Sequence, residues 1–195
     1  MPINNPYFGL SAENWLAKTN ELIATHPIPS SSLVEITKEA WREVFATKVG
    51  TAGYQIGVDI LPQPQIIGFL LHELIPLLIA ARYSGWRRDV GGTEKDVVCE
   101  FDPSYSIEIK TSSNLRNIFG NRSYAQQGGD ARREKDGYLL AVNFQGFRAS
   151  RSPELVRIRF GWIDHTDWVG QTAQTGQQAH LSREANHLKL LELLK

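Results

Sequence analysis

The segment GYLLAVNF at residues 137–144 is apolar almost throughout. A run of this length without alternation predicts a strand buried on both faces, which places it near the centre of a sheet. Further strands are predicted at residues 96–101, 105–111 and 155–163. Asp102, Pro103 and Ser104 predict the turn between the first two of these. Residues 112–136 and 164–181 are rich in turn-forming side chains and are interpreted as mainly loop.

Segments with helical periodicity flank these strands. Helices are predicted over residues 11–25, 32–49, 64–83 and 182–194. Ser32 and Glu35 form a capping-box pattern, and Ser182 is a suitable cap for the last helix. Helices, then a mixed sheet, then a helix predict an α/β fold with a mixed central β-sheet flanked by α-helices. We interpret the 195 residues as one domain, in which residues 1–60 form a helical part and residues 64–195 the functional core.

Composition favours a cytoplasmic protein without a membrane partner. Cys99 is the only cysteine, so no internal disulfide can form. The first residues lack the basic start and apolar stretch of a secretion signal. The apolar segment at 66–81 is interrupted by His72, Glu73 and Pro76, which favours a core helix over a membrane span.

The charges are unevenly distributed although the formal net charge is zero. Between Lys110 and Arg159 there are ten Lys or Arg residues against four Asp or Glu residues. A basic middle segment is typical of a surface that binds a phosphate backbone. An ordinary solvated surface would give the same count, and charge alone does not separate the two.

Asp96, Glu108 and Lys110 form the pattern with the most chemical content. Glu108 and Lys110 share one face of a predicted strand, and Asp96 lies twelve positions upstream of Glu108 on its partner strand. Pairing across the 102–104 turn brings Asp96 close to Lys110 and Thr111, although a shift by one residue would turn Asp96 to the other face. The two carboxylates and the Ile109 carbonyl could then bind one Mg²⁺ ion, and Lys110 could stabilise negative charge or orient a water molecule.

Glu73 is a further candidate acid because apolar residues surround it in the predicted helix at 64–83. An isolated buried carboxylate is costly, so Glu73 requires a partner. It could be a metal ligand, an anchor for Lys110, or a structural partner of an arginine or of His72.

The pattern of Asp96 followed by Glu108 and Lys110 resembles the PD-(D/E)xK nuclease superfamily. Three longer stretches resemble the ScaI-like group of type II restriction endonucleases, and the likeness spans most of the chain. They are SIEIKTSS at 106–113, FGNRSYAQ at 119–126 with the following GYLLAVNF, and RFGWIDHTDWVGQ at 159–171. Lys95 stands where the superfamily pattern has proline, a position that shapes the backbone and binds no metal.

The resemblance implies a restriction-endonuclease-like core that cleaves double-stranded DNA at a short palindromic site. It also implies Mg²⁺, with Mn²⁺ as a substitute, 5′-phosphate and 3′-hydroxyl ends, a homodimer, and a companion DNA methyltransferase. Asp96, Glu108 and Lys110 take the catalytic roles by position, with Glu73 as the acid on the helix. The helical part at 1–60 is a candidate for dimerisation. The alternatives are a repair or junction-resolving nuclease of the same superfamily, and a DNA-binding protein without catalysis.

Polar side chains after the catalytic strand are candidates for DNA contacts. Arginine suits the major-groove edge of guanine, and asparagine or glutamine suits that of adenine. Candidates for reading bases are Asn114, Arg116, Asn117, Asn121, Arg122, Gln126 and Gln127, with a second cluster at Gln171, Gln174, Gln177 and Gln178. Arg132, Arg133 and Lys135 are candidates for phosphate contacts.

Overall fold

The computed structural model describes residues 5–126, 135–173 and 175–194. The candidate DNA-contacting residues Gln127, Arg132, Arg133 and Gln174 lie outside these ranges. The α-helices are α1 (Trp15–Thr25), α2 (Ser30–Ala46), α3 (Pro64–Arg82) and α4 (Arg183–Leu188). The strands are β1 (Lys48–Val49), β2 (Tyr54–Gln55), β3 (Trp86–Arg88), β4 (Val97–Cys99), β5 (Ile107–Ser112), β6 (Phe119–Asn121), β7 (Gly137–Phe144), β8 (Leu155–Ile163), β9 (Trp168–Gly170), β10 (Gln178–Leu181) and β11 (Leu190–Leu194).

A six-stranded mixed sheet forms the centre of the molecule, in the order β11-β8-β7-β5-β4-β3. Strands β5 and β7 are parallel, and the other neighbouring pairs are antiparallel. Strand β7 is central and buried along its whole length, as its apolar sequence predicts. The predicted mixed sheet with flanking helices is therefore confirmed.

The two faces of this sheet are covered differently. Ile107, Ile109 and Leu140 point to one face and pack in a large core with residues of α1, α2 and α3. Leu139 and Ala141 alternate with them and point to the other face. That second face is covered by α4 and by a smaller antiparallel sheet in the order β6-β10-β9. Because side chains alternate along β5, Glu108 and Lys110 point to the side of the smaller sheet.

The prediction of a helix over 182–194 is wrong in its second half. Helix α4 ends at Leu188, and β11 then pairs antiparallel with β8. Gly161 permits this pairing, because a Cβ atom built at that position would lie 1.9 Å from the Lys189 carbonyl oxygen. The leucines of the terminal segment therefore extend the sheet instead of lining a helix.

Several boundaries also differ from the sequence predictions. Helix α2 begins at Ser30 after Pro29, so Ser32 is not its cap. Strands β3, β6, β9 and β10 were not predicted; β6 lies in the segment 112–136 and the last two in 164–181, both interpreted as mainly loop. Strands β4 and β5 pair only at Val97 and Ile107, which sets Asp96 across from Glu108 and not from Lys110 or Thr111.

Helix α3 is long and apolar enough, by length and composition alone, to cross a membrane. Ile67, Leu71, Ile75 and Ile79 recur at helical spacing and are fully buried against the central sheet and α2. This packing matches the predicted core helix. Gly68 allows close approach of α3 to β5, because a Cβ atom there would lie 2.6 Å from the Thr111 hydroxyl oxygen.

Candidate active site

Strand β5 places Glu108 and Lys110 side by side on the face that the smaller sheet covers. Their neighbours on β7 are Leu139 and Ala141, which are buried. The Glu108 side chain is only 5% exposed and that of Lys110 15%. A charged pair this deeply buried needs internal hydrogen bonds to offset its lost hydration.

Asp96, the residue that precedes β4, completes the group. Its Oδ2 atom accepts a hydrogen bond from the Ile109 backbone amide at 2.6 Å. Its Oδ1 atom lies 3.5 Å from Nδ1 of His72 on α3. Burial raises the pKa of the Asp96 carboxyl, but His72, the Lys110 charge and the Ile109 amide together hold it below its usual value. Asp96 is therefore an ionised carboxylate fixed to the backbone of the catalytic strand.

The Lys110 ammonium joins two of the predicted metal-binding groups. It donates hydrogen bonds to Oε1 of Glu108 and, at 3.2 Å, to the Ile109 carbonyl oxygen. Burial lowers the pKa of Lys110, but the negative charges of Glu108 and Asp96 outweigh this effect and raise it above its usual value. Lys110 therefore carries its positive charge in the site.

Tyr124 is a fourth side chain in direct contact with this group. Its hydroxyl donates a hydrogen bond to Oε1 of Glu108, and the Lys110 nitrogen lies 4.8 Å from the centre of its ring. Burial raises the pKa of the Tyr124 phenol to about 12, so it remains a hydrogen-bond donor. Tyr124 lies in the FGNRSYAQ stretch, but its sequence context does not indicate a contact with Glu108. The available signal was an aromatic residue within a polar segment.

The oxygen atoms of this site fit a hard divalent cation. Asp96 and Glu108 supply carboxylates and Ile109 a carbonyl, and Mg²⁺ prefers oxygen ligands. The Glu108 and Ile109 oxygens already converge on one positive charge, the Lys110 ammonium. Within the ranges that the structure describes, no group of three or more His, Cys, Asp and Glu residues forms a metal cage. A cation here would therefore retain water ligands, as Mg²⁺ usually does.

A cleft of about 450 Å³ opens beside the site. Asp96, Lys110 and His72 contribute to its lining from the central sheet and α3. Asn121 and Gln178 contribute from the smaller sheet, where β6 and β10 pair them directly. The cleft therefore lies between the candidate catalytic group and two of the residues that the sequence indicates as base-reading candidates.

The remaining candidates for DNA contacts lie in varied surroundings. Asn114 accepts hydrogen bonds from the backbone amides of its own loop, at residues 116 and 117. Arg122 is half-buried and donates to the carbonyl oxygens of Ala173 and Gly176. Lys135 donates to the Ser123 carbonyl oxygen at 2.9 Å. Exposed candidates are Arg116, Asn117, Gln126, Gln171 and Gln177.

The Glu73 side chain is half-exposed at the protein surface, contrary to the expectation that it is buried. It forms an ion pair with Arg88 on β3. Of the roles considered for Glu73, the structure therefore shows that of a structural partner of an arginine. Among the described residues no hydrogen bond links Glu73 to Lys110; Glu108 and Ile109 anchor that lysine. Helix α3 presents His72, not Glu73, to Asp96.

Comparison with known proteins identifies the family of this chain. A family model described as ScaI restriction endonuclease matches residues 5–194. The type II restriction enzyme ScaI of Streptomyces caespitosus is 43% identical over 193 residues, which covers 97% of this chain and 85% of that enzyme. No solved structure matches the chain. The chain belongs to the ScaI restriction endonuclease family.

Proposed function

We propose that this restriction endonuclease hydrolyses both strands of DNA at a short palindromic site, with Mg²⁺, and leaves 5′-phosphate and 3′-hydroxyl ends. The observation that carries the proposal is the set of hydrogen bonds that joins Asp96, Glu108, Ile109 and Lys110, beside a cleft that Asp96 and Lys110 line. Two carboxylates and a carbonyl can bind a divalent cation, and an ammonium group can stabilise the negative charge that develops during phosphodiester hydrolysis.

Each side chain has a separate part in the reaction. Asp96, Glu108 and the Ile109 carbonyl would hold Mg²⁺, which when bound supplies positive charge that offsets the charge of the phosphate. Lys110 points into the same cleft and donates hydrogen bonds to the attacking water or to a phosphate oxygen. The water attacks phosphorus in line and loses a proton to solvent, the bond to the 3′ oxygen breaks, and that oxygen takes a proton from solvent. Asp96 keeps its orientation through the Ile109 amide.

The exposed face of the smaller sheet is the proposed base-reading surface. On β10, Gln178 and His180 are exposed and alternate with buried Ala179 and Leu181. Gln178 pairs with Asn121 of β6 and lines the catalytic cleft with it. Amide side chains can recognise adenine in the major groove, which admits a two-stranded ribbon. Arg116, Asn117, Gln126 and Gln171 are further candidates around this face.

A homodimer and a companion methyltransferase belong to the same proposal. Asp96, Glu108 and Lys110 of one chain form one site, and a palindromic target presents two equivalent strands. A protein dimer with a two-fold axis matches such a target. A methyltransferase that modifies the same target would protect host DNA.

The decisive experiment is digestion of unmethylated phage DNA with the purified protein and Mg²⁺, followed by sequencing of the fragment ends. We expect discrete fragments whose ends share one short palindrome, with phosphate at the 5′ side. Cleavage that follows junctions or damage in place of sequence would favour the repair nuclease. Binding without cleavage in either Mg²⁺ or Mn²⁺ would favour a non-catalytic DNA-binding protein.

Three variants test the assigned roles. Asp96→Asn, Glu108→Gln and Lys110→Met should each lower the cleavage rate by at least about 1,000-fold, because each removes a charge that acts on the transition state. DNA binding in Ca²⁺ should survive in all three. The control is Glu100→Gln. Glu100 is an exposed acid directly after β4 and pairs with Arg87. Wild-type cleavage by Asp96→Asn would refute the assignment.

A further inference from the structure

Tyr124 connects two parts of the molecule that the proposed function uses separately. It lies in a short 3-10 helix, Arg122–Ala125, directly after β6 of the smaller sheet. Its ring packs against Trp168 of β9, with 5.1 Å between the ring centres. Its hydroxyl reaches the opposite way, to Glu108 on the central sheet.

The contacts on the catalytic side involve both charged groups. Oε1 of Glu108 accepts from the Tyr124 hydroxyl and from the Lys110 ammonium, so two donors fix one carboxylate oxygen. The aromatic ring also faces the Lys110 nitrogen at 4.8 Å, a distance typical of a cation–π contact. Tyr124 therefore restrains the orientation of a predicted metal ligand and the position of the predicted catalytic lysine.

The contacts on the other side leave Tyr124 little freedom to move by itself. It is 6% exposed, and a Cβ atom built at Gly120 would lie 3.1 Å from its ring. The backbone amide of Arg122, two residues earlier, donates to the Gln177 carbonyl oxygen at 2.7 Å. A shift of the strands that carry Asn121 and Gln178 would therefore also shift the Tyr124 hydroxyl.

We propose that Tyr124 is a positioning residue that couples the base-reading sheet to the catalytic strand. Tyr124 fixes the Glu108 carboxylate and the Lys110 ammonium relative to each other. When β6 and β10 shift on binding DNA, Tyr124 passes that shift to these two groups. This inference rests on the proposed function, because it assigns Tyr124 to the same site. It does not make Tyr124 a catalytic residue, since Tyr124 acts through Glu108 and Lys110.

The test compares Tyr124→Phe, which keeps the ring and removes the hydroxyl, with Tyr138→Phe. Tyr138 is a matched control because it is equally buried, lies on the helical face of the sheet, and donates its hydroxyl to the Leu22 carbonyl oxygen. Single-turnover cleavage, the Mg²⁺ concentration for half-maximal rate, and DNA affinity in Ca²⁺ are measured for both. Thermal unfolding reports any loss of stability.

We expect Tyr124→Phe to slow single-turnover cleavage by about 10- to 100-fold, because small misplacements of reacting groups have effects of that size. Half-maximal rate should need several-fold more Mg²⁺, whereas DNA affinity in Ca²⁺ and the melting temperature should match those of Tyr138→Phe. Discrimination between the target and a site with one changed base pair should decrease. Equal rates and equal Mg²⁺ dependence in the two variants would overturn the proposal.

Binding of Mn²⁺ to the protein alone separates this inference from the proposed function. Electron paramagnetic resonance of free Mn²⁺ measures that binding without any cleavage. Weaker Mn²⁺ binding by Tyr124→Phe than by Tyr138→Phe would support the positioning role even if no DNA were cut. Equal Mn²⁺ binding by the two variants, together with wild-type target discrimination by Tyr124→Phe, would contradict the positioning role. That result would hold even if the wild-type protein cuts DNA as proposed.

Discussion

His72 and Glu73 are neighbours on α3, yet their side chains serve different parts of the molecule. His72 lies 3.5 Å from the Asp96 carboxylate, whereas Glu73 pairs with Arg88 at the half-exposed rim. We predict that Glu73→Gln changes the cleavage rate less than about two-fold, because the partner of Glu73 is Arg88 and not Asp96, Glu108 or Lys110. His72→Ala should slow cleavage more, since Asp96 loses a partner. Single-turnover rates measure both, and loss of cleavage in Glu73→Gln alone would return the catalytic role to the glutamate.

His26 is a buried residue whose effect is on stability. Its ring is enclosed by aromatic side chains, its Nδ1 accepts from the Ile28 amide at 3.1 Å, and its Nε2 lies 3.1 Å from the Tyr105 carbonyl oxygen. Burial lowers the pKa of His26, and its hydrogen bonds with the backbone of Tyr105 and Ile28 offset only part of that effect. The folded protein therefore holds His26 neutral under conditions in which the unfolded chain begins to bind a proton.

This difference predicts a loss of stability in acid. The contribution of His26 is present above the unfolded pKa of about 6.5 and is lost as the pH falls towards the folded value, at about 1.4 kcal/mol per unit of pKa difference. Urea unfolding between pH 8 and pH 5 should show a flatter pH dependence in His26→Gln than in the wild type. The exposed His187 supplies the control, since His187→Gln should keep the wild-type slope. Identical slopes in all three proteins would contradict the prediction.

At the scale of elements, the contact between β8 and β11 depends on one missing side chain. A Cβ atom at Gly161 would lie 1.9 Å from the Lys189 carbonyl oxygen, a backbone atom that cannot move without displacing β11. We predict that Gly161→Ala lowers the free energy of unfolding by at least about 3 kcal/mol, the upper range for overpacking a core. Thermal unfolding measures this loss of stability. Gly91→Ala is the control, because its Cβ atom would lie at an ordinary contact distance of 3.5 Å from the Thr93 hydroxyl oxygen. Equal melting temperatures for both variants would refute the prediction.

The same contact explains why the carboxyl-terminal strand could not be predicted from the sequence. The segment LKLLELL satisfies helical spacing as well as a strand, and local periodicity does not distinguish them. Long-range contacts decide the outcome. The buried Lys189 ammonium is held by Asp167, with 2.7 Å between Nζ and Oδ1, and lies 4.4 Å from the Trp15 ring centre. These partners are 22 and 174 positions away in the chain, so no local pattern indicates them.

Strands β5, β7 and β8 could be predicted because their own residues determine their burial. Gly137–Phe144 is apolar and central, and Glu108 and Lys110 share a face because side chains alternate along any strand. The position of Asp96 depended on the pairing of β4 with β5, where a single residue pair sets the register. Tyr124 reaches Glu108 across sixteen positions, through the packing of the smaller sheet. The proximity of Asp96, Glu108 and Lys110 could therefore be predicted from the sequence, and the contacts that support them could not.

For the whole molecule, the count of basic residues between Lys110 and Arg159 overstates the positive surface. Arg157 pairs with Glu192 at 2.7 Å, and Lys135 donates to a backbone carbonyl. Arg159 is fully buried and donates to Asn143 and Asn186. Burial, together with the charge of Arg157, lowers the pKa of Arg159 to about 10, so it stays charged at neutral pH inside the protein. Exposed cations of this segment in the described ranges are Arg116, Arg148 and Arg151.

One chain supplies one proposed catalytic group, whereas a duplex presents two strands to be cut. If the active form is the proposed homodimer, each subunit cuts one strand. We predict that a mixed dimer of wild-type and Lys110→Met subunits, purified through a tag on each subunit, converts supercoiled plasmid to nicked circles and forms linear DNA slowly. The unmixed wild-type dimer should form linear DNA directly, and sedimentation should give the mass of two chains. A mixed dimer that linearises plasmid at the wild-type rate would show that one site cuts both strands in turn.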